Sequence, residues 1–122
     1  MTTSEAEAVE RVALDYFDGY FDGDAPRLAS ALLPELAKRS LRQVDPDSEA
    51  LRSVTRAQMI DITEAGEGKR LDPGDRRIEV EVNDLYGNIA SVTVRSALYR
   101  EYLHLVRTPE GWKIVNALWH WS

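Results

Sequence analysis

The chain has 122 residues, 43% of them hydrophobic and 30% charged, which suits one globular domain with a real core and is too short for two. With 21 acidic and 15 basic residues the net charge is −6. This balance argues against nucleic acid or an anionic membrane surface as the main partner, because both need a basic face. The absence of cysteine excludes disulfides, thiolate nucleophiles and cysteine-bound zinc. We expect a single domain over residues 1–122.

The N-terminal segment has neither the basic region nor the apolar core of a signal peptide. No run of about 18 apolar residues, the length needed to span a membrane, occurs anywhere in the sequence. We therefore expect a cytoplasmic protein that binds neither nucleic acid nor membranes.

Two helices are predicted at the start of the chain. Ser4 and Glu7 stand at the spacing of a capping box, and apolar residues recur behind them at helical intervals up to Phe21. Asp24 is a suitable N-cap for a second, shorter helix that begins at Ala25 and runs to Pro34.

The middle of the chain is less regular. Alternating patterns predict two short strands, over residues 37–44 and 51–54, joined by a turn at 45–48. Thr55 and Gln58 form a second capping box, which begins a third helix that ends at Gly66. The polar segment 67–75 contains proline and glycine and is predicted to be a surface loop.

A strand with strict alternation of apolar and polar residues is predicted over residues 77–83. A three-residue loop ending at Gly87 would pair Val82 with Ala90 and keep the apolar side chains on one face. The next strand continues to Leu98, bends near Arg100 and enters the final hairpin.

The final hairpin turns at Pro109, Glu110 and Gly111, where the residue types suit a type I turn followed by a glycine bulge. With these three residues as the loop, His104 faces Asn116. The same face then takes the residues Tyr102, Val106, Trp112, Ile114 and Leu118. We predict that this face points into the interior, beneath the first helix.

The opposite face of the hairpin is also apolar, which indicates that both sides are covered. We predict that this second face forms a homodimer interface through the residues Leu103, Leu105, Trp119 and Trp121. A shift of one residue between Val94 and Val106 would reverse the two faces and send His104 outward.

The element order predicts an α+β fold with three helices packed on a strongly curved, mostly antiparallel sheet. The sheet consists of a four-stranded C-terminal meander plus one or two short strands. Three segments carry a family resemblance, namely FDGDAPRLASALLPEL, DRRIEVEVNDLYGNIASVTVRS and EYLHLVRTPEGWKIVNALW. Together they resemble the putative lumazine-binding family of the nuclear-transport-factor-like superfamily, which includes the snoaL-like polyketide cyclases.

The resemblance extends from about Val9 to Trp119. It implies a cone-shaped α+β barrel, a pocket at the open end of the cone, and a dimer formed through the outer face of the sheet. The superfamily contains isomerases, dehydratases and cyclases, and the resemblance supplies no shared catalytic motif, so it implies no particular reaction.

The strongest candidate for catalysis is His104, because a neutral imidazole held by the Asn116 amide can act as a general acid or base near pH 7. The alternative is a structural polar pair across two strands. A planar small-molecule ligand would find an aromatic lining in the residues Tyr16, Phe17, Tyr20, Tyr102 and Trp112. The alternative for these residues is a role in the core. With two histidines sixteen positions apart, we expect neither a metal nor a cofactor.

Three functions are consistent with the sequence. The first is a small-molecule-binding domain with an apolar and aromatic pocket. The second is an acid/base isomerase, dehydratase or cyclase that uses His104. The third is an association module without a ligand. The sequence leaves open whether the protein is an enzyme.

Overall fold

The computed structural model describes residues 4–45 and 48–122. It confirms the α+β prediction: within these residues four helices accompany a six-stranded curved sheet. The helices are α1 (Glu5–Asp22), α2 (Ala25–Ala31), α3 (Arg56–Glu64) and α4 (Glu67–Leu71). The strands are β1 (Leu32–Asp45), β2 (Ser48–Val54), β3 (Glu79–Tyr86), β4 (Ile89–Arg95), β5 (Tyr99–Thr108) and β6 (Gly111–Trp121).

Helix α1 forms as its sequence predicts. The Ser4 side chain accepts a hydrogen bond from the Glu7 backbone N–H at 3.1 Å, and Gly23 ends the helix in the left-handed conformation with a φ of 69°. One stripe of the helix is buried in the core, comprising Val9, Ala13, Tyr16, Phe17, Tyr20 and Phe21. Each large side chain in this stripe contributes about 1.5–3 kcal/mol by leaving water.

Helix α2 is shorter than predicted, because the chain enters strand β1 at Leu32. Leu32 pairs in parallel with Ile114 of β6, and the register then shifts before Ala37. Pro34 lies in this irregular stretch, where a strand tolerates a residue without an N–H group. The two predicted strands are confirmed and are both longer than expected; Pro46 and Asp47 of the predicted turn lie outside the described residues.

The predicted third helix is confirmed as α3, and both hydrogen bonds of its capping box are present between Thr55 and Gln58. The surface loop predicted directly after it is wrong for residues 67–71, which form helix α4. Gly68 is buried against α1, and a Cβ at this position would overlap the Tyr20 carbonyl oxygen. The small residue therefore brings α4 onto α1.

The strand order in the sheet is β2-β1-β6-β5-β4-β3. The last four strands form the predicted antiparallel meander, whereas β1 runs parallel to β6. No helix in the described part of the chain is both long and apolar enough to cross a membrane.

The predicted register of the β3–β4 hairpin is wrong by two residues. Val82 pairs with Val92 rather than with Ala90, because Tyr86 pairs with Ile89 across a tighter turn and β3 is irregular after Val82. A shift of two residues preserves the side-chain face, so the prediction that the apolar residues share one face survives.

The β5–β6 hairpin differs from its prediction in a way that changes the faces. Thr108 pairs with Gly111, so the loop has two residues instead of three. His104 nevertheless pairs with Asn116 as predicted, because Val115 is an extra residue between that pair and the Leu105–Ile114 pair. This bulge reverses the alternation along β6.

The inner face of the hairpin, which the helices cover, therefore has a different composition from the predicted one. It keeps Trp112 and Ile114 but gains Leu103, Leu105 and Ala117, all buried. The outer face takes the residues Tyr102, His104, Asn116 and Leu118, all exposed. The prediction that His104 and Asn116 point into the interior is wrong.

The residues predicted for a dimer interface also lie on the inner face instead of the outer face. Leu103 and Leu105 are each only 1% exposed and belong to the core of the chain itself. Trp119 pairs with buried Glu101 across β5 and β6, and Trp121 pairs with Tyr99. The assignment of these residues to the outer face is wrong.

Candidate functional site

A cavity of about 90 Å³ lies between helices α1, α3 and α4 and the inner face of the sheet. The end of the molecule that contains it, formed by Tyr99, Glu101, Trp119 and Trp121, is called the open end below. Aromatic side chains make up much of the wall, namely Tyr16, Phe17, Tyr20, Phe21, Tyr99, Trp119 and Trp121. The polar lining residues are Lys38, Arg52, Glu67 and Glu101.

The polar cluster in this wall consists of Glu101, Tyr16 and Lys38. Glu101 is 2% exposed, and its Oε2 accepts a hydrogen bond from the Tyr16 hydroxyl at 2.6 Å. The Lys38 Nζ lies 3.5 Å from the same carboxylate oxygen and donates a hydrogen bond to the Tyr16 hydroxyl. A carboxylate, a phenol and an ammonium group thus meet in a largely apolar cavity.

Strand register and helix spacing bring these three groups together. Lys38 of β1 pairs with Ala117 of β6, and Glu101 of β5 pairs with Trp119 of β6. Both residues therefore project from the inner face of the sheet, towards the buried stripe of α1 that carries Tyr16.

Burial shapes the proton affinities in the cluster. It raises the pKa of Tyr16 well above the usual value, and the neighbouring negative charge of Glu101 raises it further. Burial lowers the pKa of Lys38, and the attraction of Glu101 opposes this effect only in part. Tyr16 therefore stays protonated and can only donate a hydrogen bond over the physiological pH range, whereas Lys38 releases its proton more readily than an exposed lysine does.

A second group of polar side chains lies beside the first. The Tyr20 hydroxyl donates to Glu67 Oε2 at 2.9 Å and lies 3.5 Å from the Tyr99 hydroxyl. Burial raises the pKa of both Tyr20 and Tyr99. Glu67 belongs to α4, so the close packing of that helix on α1 completes this group.

The tryptophans of the open end form an edge-to-face pair with ring centroids 5.3 Å apart. The Trp119 ring also lies 5.8 Å from Lys38 Nζ. Its indole N–H is buried, and no group within residues 4–45 and 48–122 accepts a hydrogen bond from it. A buried polar group without a partner costs stability, which is common near functional sites.

Among the described residues, no group of three histidine, aspartate or glutamate side chains stands where it could hold a metal ion. The side chains at the open end can supply hydrogen bonds, proton transfer and a nucleophilic amine.

The structure places three of the predicted aromatic lining residues, Tyr16, Phe17 and Tyr20, in the cavity wall. Trp112 is buried as well, but its Nε1 donates to Glu5 Oε2 at 2.6 Å and it does not line this cavity. Tyr102 is half exposed on the outer face of the sheet.

The predicted pair of His104 and Asn116 does form, with 3.3 Å between the ring Nδ1 and the amide Nδ2. Both side chains are exposed and border a shallow groove of about 400 Å³ on the outer face, together with Tyr86, Ile89 and Ser91. His104 is therefore separated by the sheet from the cavity that it was predicted to serve.

The sequence prediction missed Lys38 and Glu101. Glu101, Leu103 and Leu105 occupy alternate positions of β5 and therefore share its buried face. An ionisable residue in such a row indicates a buried charge. Lys38 likewise lies between buried Leu36 and Ser40 at alternate positions of β1, on the same face of the strand. Both signals can be recognised only once it is known which alternate residues of the hairpin point into the core.

Solved structures with the same fold include several NTF2-like proteins. One of unknown function from Silicibacter pomeroyi has a TM-score of 0.74 and 18% sequence identity over 100% of both chains. Another of unknown function, from Shewanella baltica, has a TM-score of 0.72 and 16% identity, covering 100% of this chain and 98% of that one. A ketosteroid isomerase-like protein from Erwinia carotovora atroseptica has a TM-score of 0.60 and 13% identity over 98% of each chain. At these identities the similarity shows a shared fold.

A search among curated proteins finds no match to this chain. A family model, described as putative lumazine-binding, matches residues 4–120. The matched region contains all four helices and, apart from Trp121, every cavity residue described above, so the chain belongs to the putative lumazine-binding family within the NTF2-like fold.

Proposed function

We propose that this protein binds a small planar molecule at the open end, with an acceptor oxygen of the ligand on Lys38 and its ring against the aromatic wall. The observation that carries the proposal is the cluster of Lys38, Tyr16 and Glu101 in an otherwise aromatic and aliphatic cavity. Few polar groups in an apolar surround are typical of ligand sites, where the apolar wall supplies affinity and the polar groups supply orientation.

The size of the cavity restricts the ligand. A volume of about 90 Å³ is well below the ~300 Å³ typical of pockets for drug-sized molecules, and below the ~150 Å³ of an engineered cavity that holds benzene. One ring can therefore enter only in part. The rest of the ligand must lie at the mouth, where Trp121 is 53% exposed and offers a flat surface for stacking.

The polar groups define the edge of the ligand. Tyr16 already donates its proton to Glu101, whereas Lys38 has three N–H groups and a side chain that is still 12% exposed. A carbonyl or carboxylate oxygen is the group that Lys38 can bind. Lumazine, which the family description names, is a two-ring pteridinedione with carbonyl oxygens on one ring, and it has this combination of a planar body and an acceptor edge.

Titration calorimetry with lumazine and with a single-ring pyrimidinedione tests the proposal. We expect Lys38→Met to weaken binding of both compounds by about tenfold or more, because a hydrogen bond to a charged donor is worth about 1.5–3 kcal/mol. Lys113→Met is the matched control, since Lys113 donates to the Ser30 carbonyl far from the cavity. Unchanged affinity in Lys38→Met, or no binding of either compound to the wild type, would contradict the proposal.

A second variant tests the role of the mouth without disturbing the core. Trp121→Ala removes a half-exposed ring. We expect it to weaken binding of the two-ring lumazine more than binding of the single-ring pyrimidinedione, because the larger compound covers more of the Trp121 ring. Equal losses for both compounds would show that the ligand does not lie as proposed.

We also propose a homodimer through the outer face of the sheet, with different residues from those predicted. Four apolar side chains, 53% to 60% exposed, follow one another across adjacent strands, namely Leu51, Leu41, Leu118 and Tyr102. Directly paired residues share a face, and Tyr102 pairs with Leu118 and Leu41 with Leu51. A two-fold axis would place this row against itself, as symmetric dimers require. Beside the row, Arg95 and Glu81 form an ion pair at 2.8 Å.

Sedimentation measurements test the dimer. Leu118→Lys, in the middle of the row, is expected to give a monomer, whereas Tyr86→Lys changes an exposed aromatic residue outside the row and should leave the dimer intact. A wild-type protein that sediments as a monomer at all concentrations would contradict this proposal and leave the ligand site unaffected.

A further inference from the structure

We infer that the amine of Lys38 condenses with the carbonyl carbon of a small aromatic aldehyde that occupies the open-end cavity, forming an imine. This inference rests on the proposed function, since the aldehyde ring takes the place of the planar ligand. It adds a reversible covalent step and names a class of compound.

The position of Lys38 sets it apart from the other lysines. The chain has three, Lys38, Lys69 and Lys113. Lys69 is exposed, and Lys113 donates to a backbone carbonyl at the protein surface. Lys38 alone lines the cavity, with its Nζ 4.9 Å from the centre of the Tyr16 ring. A carbonyl compound held against the aromatic wall therefore meets one amine.

The neighbours of Lys38 suit a nucleophile. Its Nζ lies 3.5 Å from the Glu101 Oε2 that accepts from the Tyr16 hydroxyl at 2.6 Å, and it donates a hydrogen bond to that hydroxyl. Desolvation lowers the pKa of Lys38 and favours the neutral amine that attacks a carbonyl; Arg52 acts in the same direction, and Glu101 and Glu67 act against it. A desolvated lysine in an apolar pocket is a typical source of a reactive amine.

The reaction balances with the groups present. The Lys38 ammonium gives one proton to the Glu101 carboxylate, and the nitrogen lone pair forms a bond to the aldehyde carbon while the carbonyl electron pair moves to oxygen. Proton transfers then give the neutral carbinolamine. Glu101 returns its proton to the carbinolamine hydroxyl, which leaves as water as the C=N bond forms. The ammonium and the aldehyde thus become a protonated imine and one water, without an oxidant or reductant.

The cavity would also protect the product. Imines are hydrolysed by water, and the wall around Lys38 consists largely of aromatic and aliphatic side chains, including Trp119, Met59 and Ile62. Excluding water from the C=N bond slows the reverse reaction. Because the cavity admits only part of a ring, it favours aldehydes with a single ring over larger ones.

Reductive trapping tests the inference. The folded protein is treated with benzaldehyde and sodium cyanoborohydride at neutral pH, and the benzyl groups are located by peptide mass spectrometry. We expect Lys38 to be labelled about tenfold or more faster than Lys69 and Lys113, which serve as internal controls. In urea the preference should disappear, since it depends on the folded cavity. Lys38→Arg should abolish the fast phase and leave the slow labelling of the other two lysines.

Equal or slower labelling of Lys38 in the folded protein would overturn the inference. The failure would be distinguishable from a failure of the proposed function, because planar compounds could still bind in calorimetry without any covalent step. Conversely, fast labelling of Lys38 without any binding of lumazine or the pyrimidinedione would overturn the proposed noncovalent ligand and support the imine.

Discussion

Strand β6 carries Trp112 near the hairpin loop and Trp119 at the open end, and these two tryptophans differ in what their indole N–H groups contact. At the end near the hairpin loop, Trp112 is 4% exposed and its Nε1 donates to Glu5 Oε2 at 2.6 Å. At the open end, the buried Trp119 Nε1 has no acceptor in the part of the chain that the structure describes. Glu101, its partner across the strands, is bound instead to Tyr16.

The difference shows which end is built for stability. At the Trp112 end the indole N–H is bonded to Glu5, and Leu105 and Ile114 are fully buried in the core. The open end retains a cavity, an indole N–H without an acceptor among the described residues, and a buried ion pair, all of which lower the free energy of unfolding. Such losses of stability are typical of binding and catalytic sites, because a bound ligand can fill the cavity and pair with the polar groups.

The largest expected effect comes from breaking the ion pair at the open end. Glu101→Leu leaves the Lys38 ammonium buried without its counter-charge, and we expect it to lower the free energy of unfolding by about 3–5 kcal/mol in urea titrations. The double variant Glu101→Leu, Lys38→Met removes both charges and should recover most of this loss, because two apolar groups need no compensation.

An exposed pair of the same kind is the control. Arg95 and Glu81 lie 2.8 Å apart, but their side chains are 41% and 52% exposed. Glu81→Leu should therefore cost less than about 1 kcal/mol. If Glu101→Leu cost no more than this, the open end would not contain a buried charge pair, and the contrast between the two ends would be lost.

The two tryptophans can be compared directly. Trp112→Phe removes a hydrogen bond to a carboxylate, worth about 1.5–3 kcal/mol, in addition to packing. Trp119→Phe removes an N–H group that makes no such bond to the described residues, so it loses packing only. We expect Trp112→Phe to destabilise the protein more, by about that difference. Glu5→Gln should lower the free energy of unfolding more in the wild-type background than in the Trp112→Phe background. Equal losses in the two backgrounds would contradict the hydrogen bond.

The sequence predicted most of the fold and only part of the site, and one residue accounts for much of the gap. Helix caps at Ser4 and Thr55 and the pairing of His104 with Asn116 depend on local patterns, and the structure confirms them. Val115 is different: nothing in a run of apolar residues indicates that one of them will be a bulge. That extra residue exchanged the inner and outer faces between Ile114 and Asn116.

The cavity residues show the same limit. Tyr16 and Tyr20 were predicted because helical spacing alone places them on the buried stripe. Lys38 and Glu101 could not be predicted as cavity residues. Their inward direction depends on strand pairing between distant segments and on the bulge, which decides which residues of β6 face inwards. Glu67 depends further on Gly68, whose close contact with α1 is a tertiary feature.

Gly68→Ala therefore probes how the open end is covered. In an ordinary helix, alanine stabilises by about 1 kcal/mol relative to glycine. Here the added Cβ would overlap the Tyr20 carbonyl oxygen, so α4 must move away. We expect a net loss of about 1–3 kcal/mol and a weaker contact between Tyr20 and Glu67. A gain in stability would show that α4 is not packed as closely as described.

The smallest effect is a dependence of stability on pH, and it has opposite signs for two members of the cluster. Burial lowers the pKa of Lys38 below its usual 10.5, so between the lowered value and 10.5 the unfolded chain binds more protons than the folded protein. The Lys38 contribution therefore makes the free energy of unfolding rise with pH in this window. Burial raises the pKa of Tyr16 above its usual 10.0, so above that pH the unfolded chain loses its proton first and the contribution falls.

Urea titrations across pH 8 to 11 can separate the two contributions by difference. As the pH rises towards 10.5, the wild type should gain stability relative to Lys38→Met, by no more than about 1.4 kcal/mol per pH unit for one proton. Above pH 10 it should lose stability relative to Tyr16→Phe. A flat difference for Lys38→Met would mean that Lys38 titrates alike in the folded and unfolded chains. The open end would then lack the desolvated amine that distinguishes it from the paired environment of Trp112.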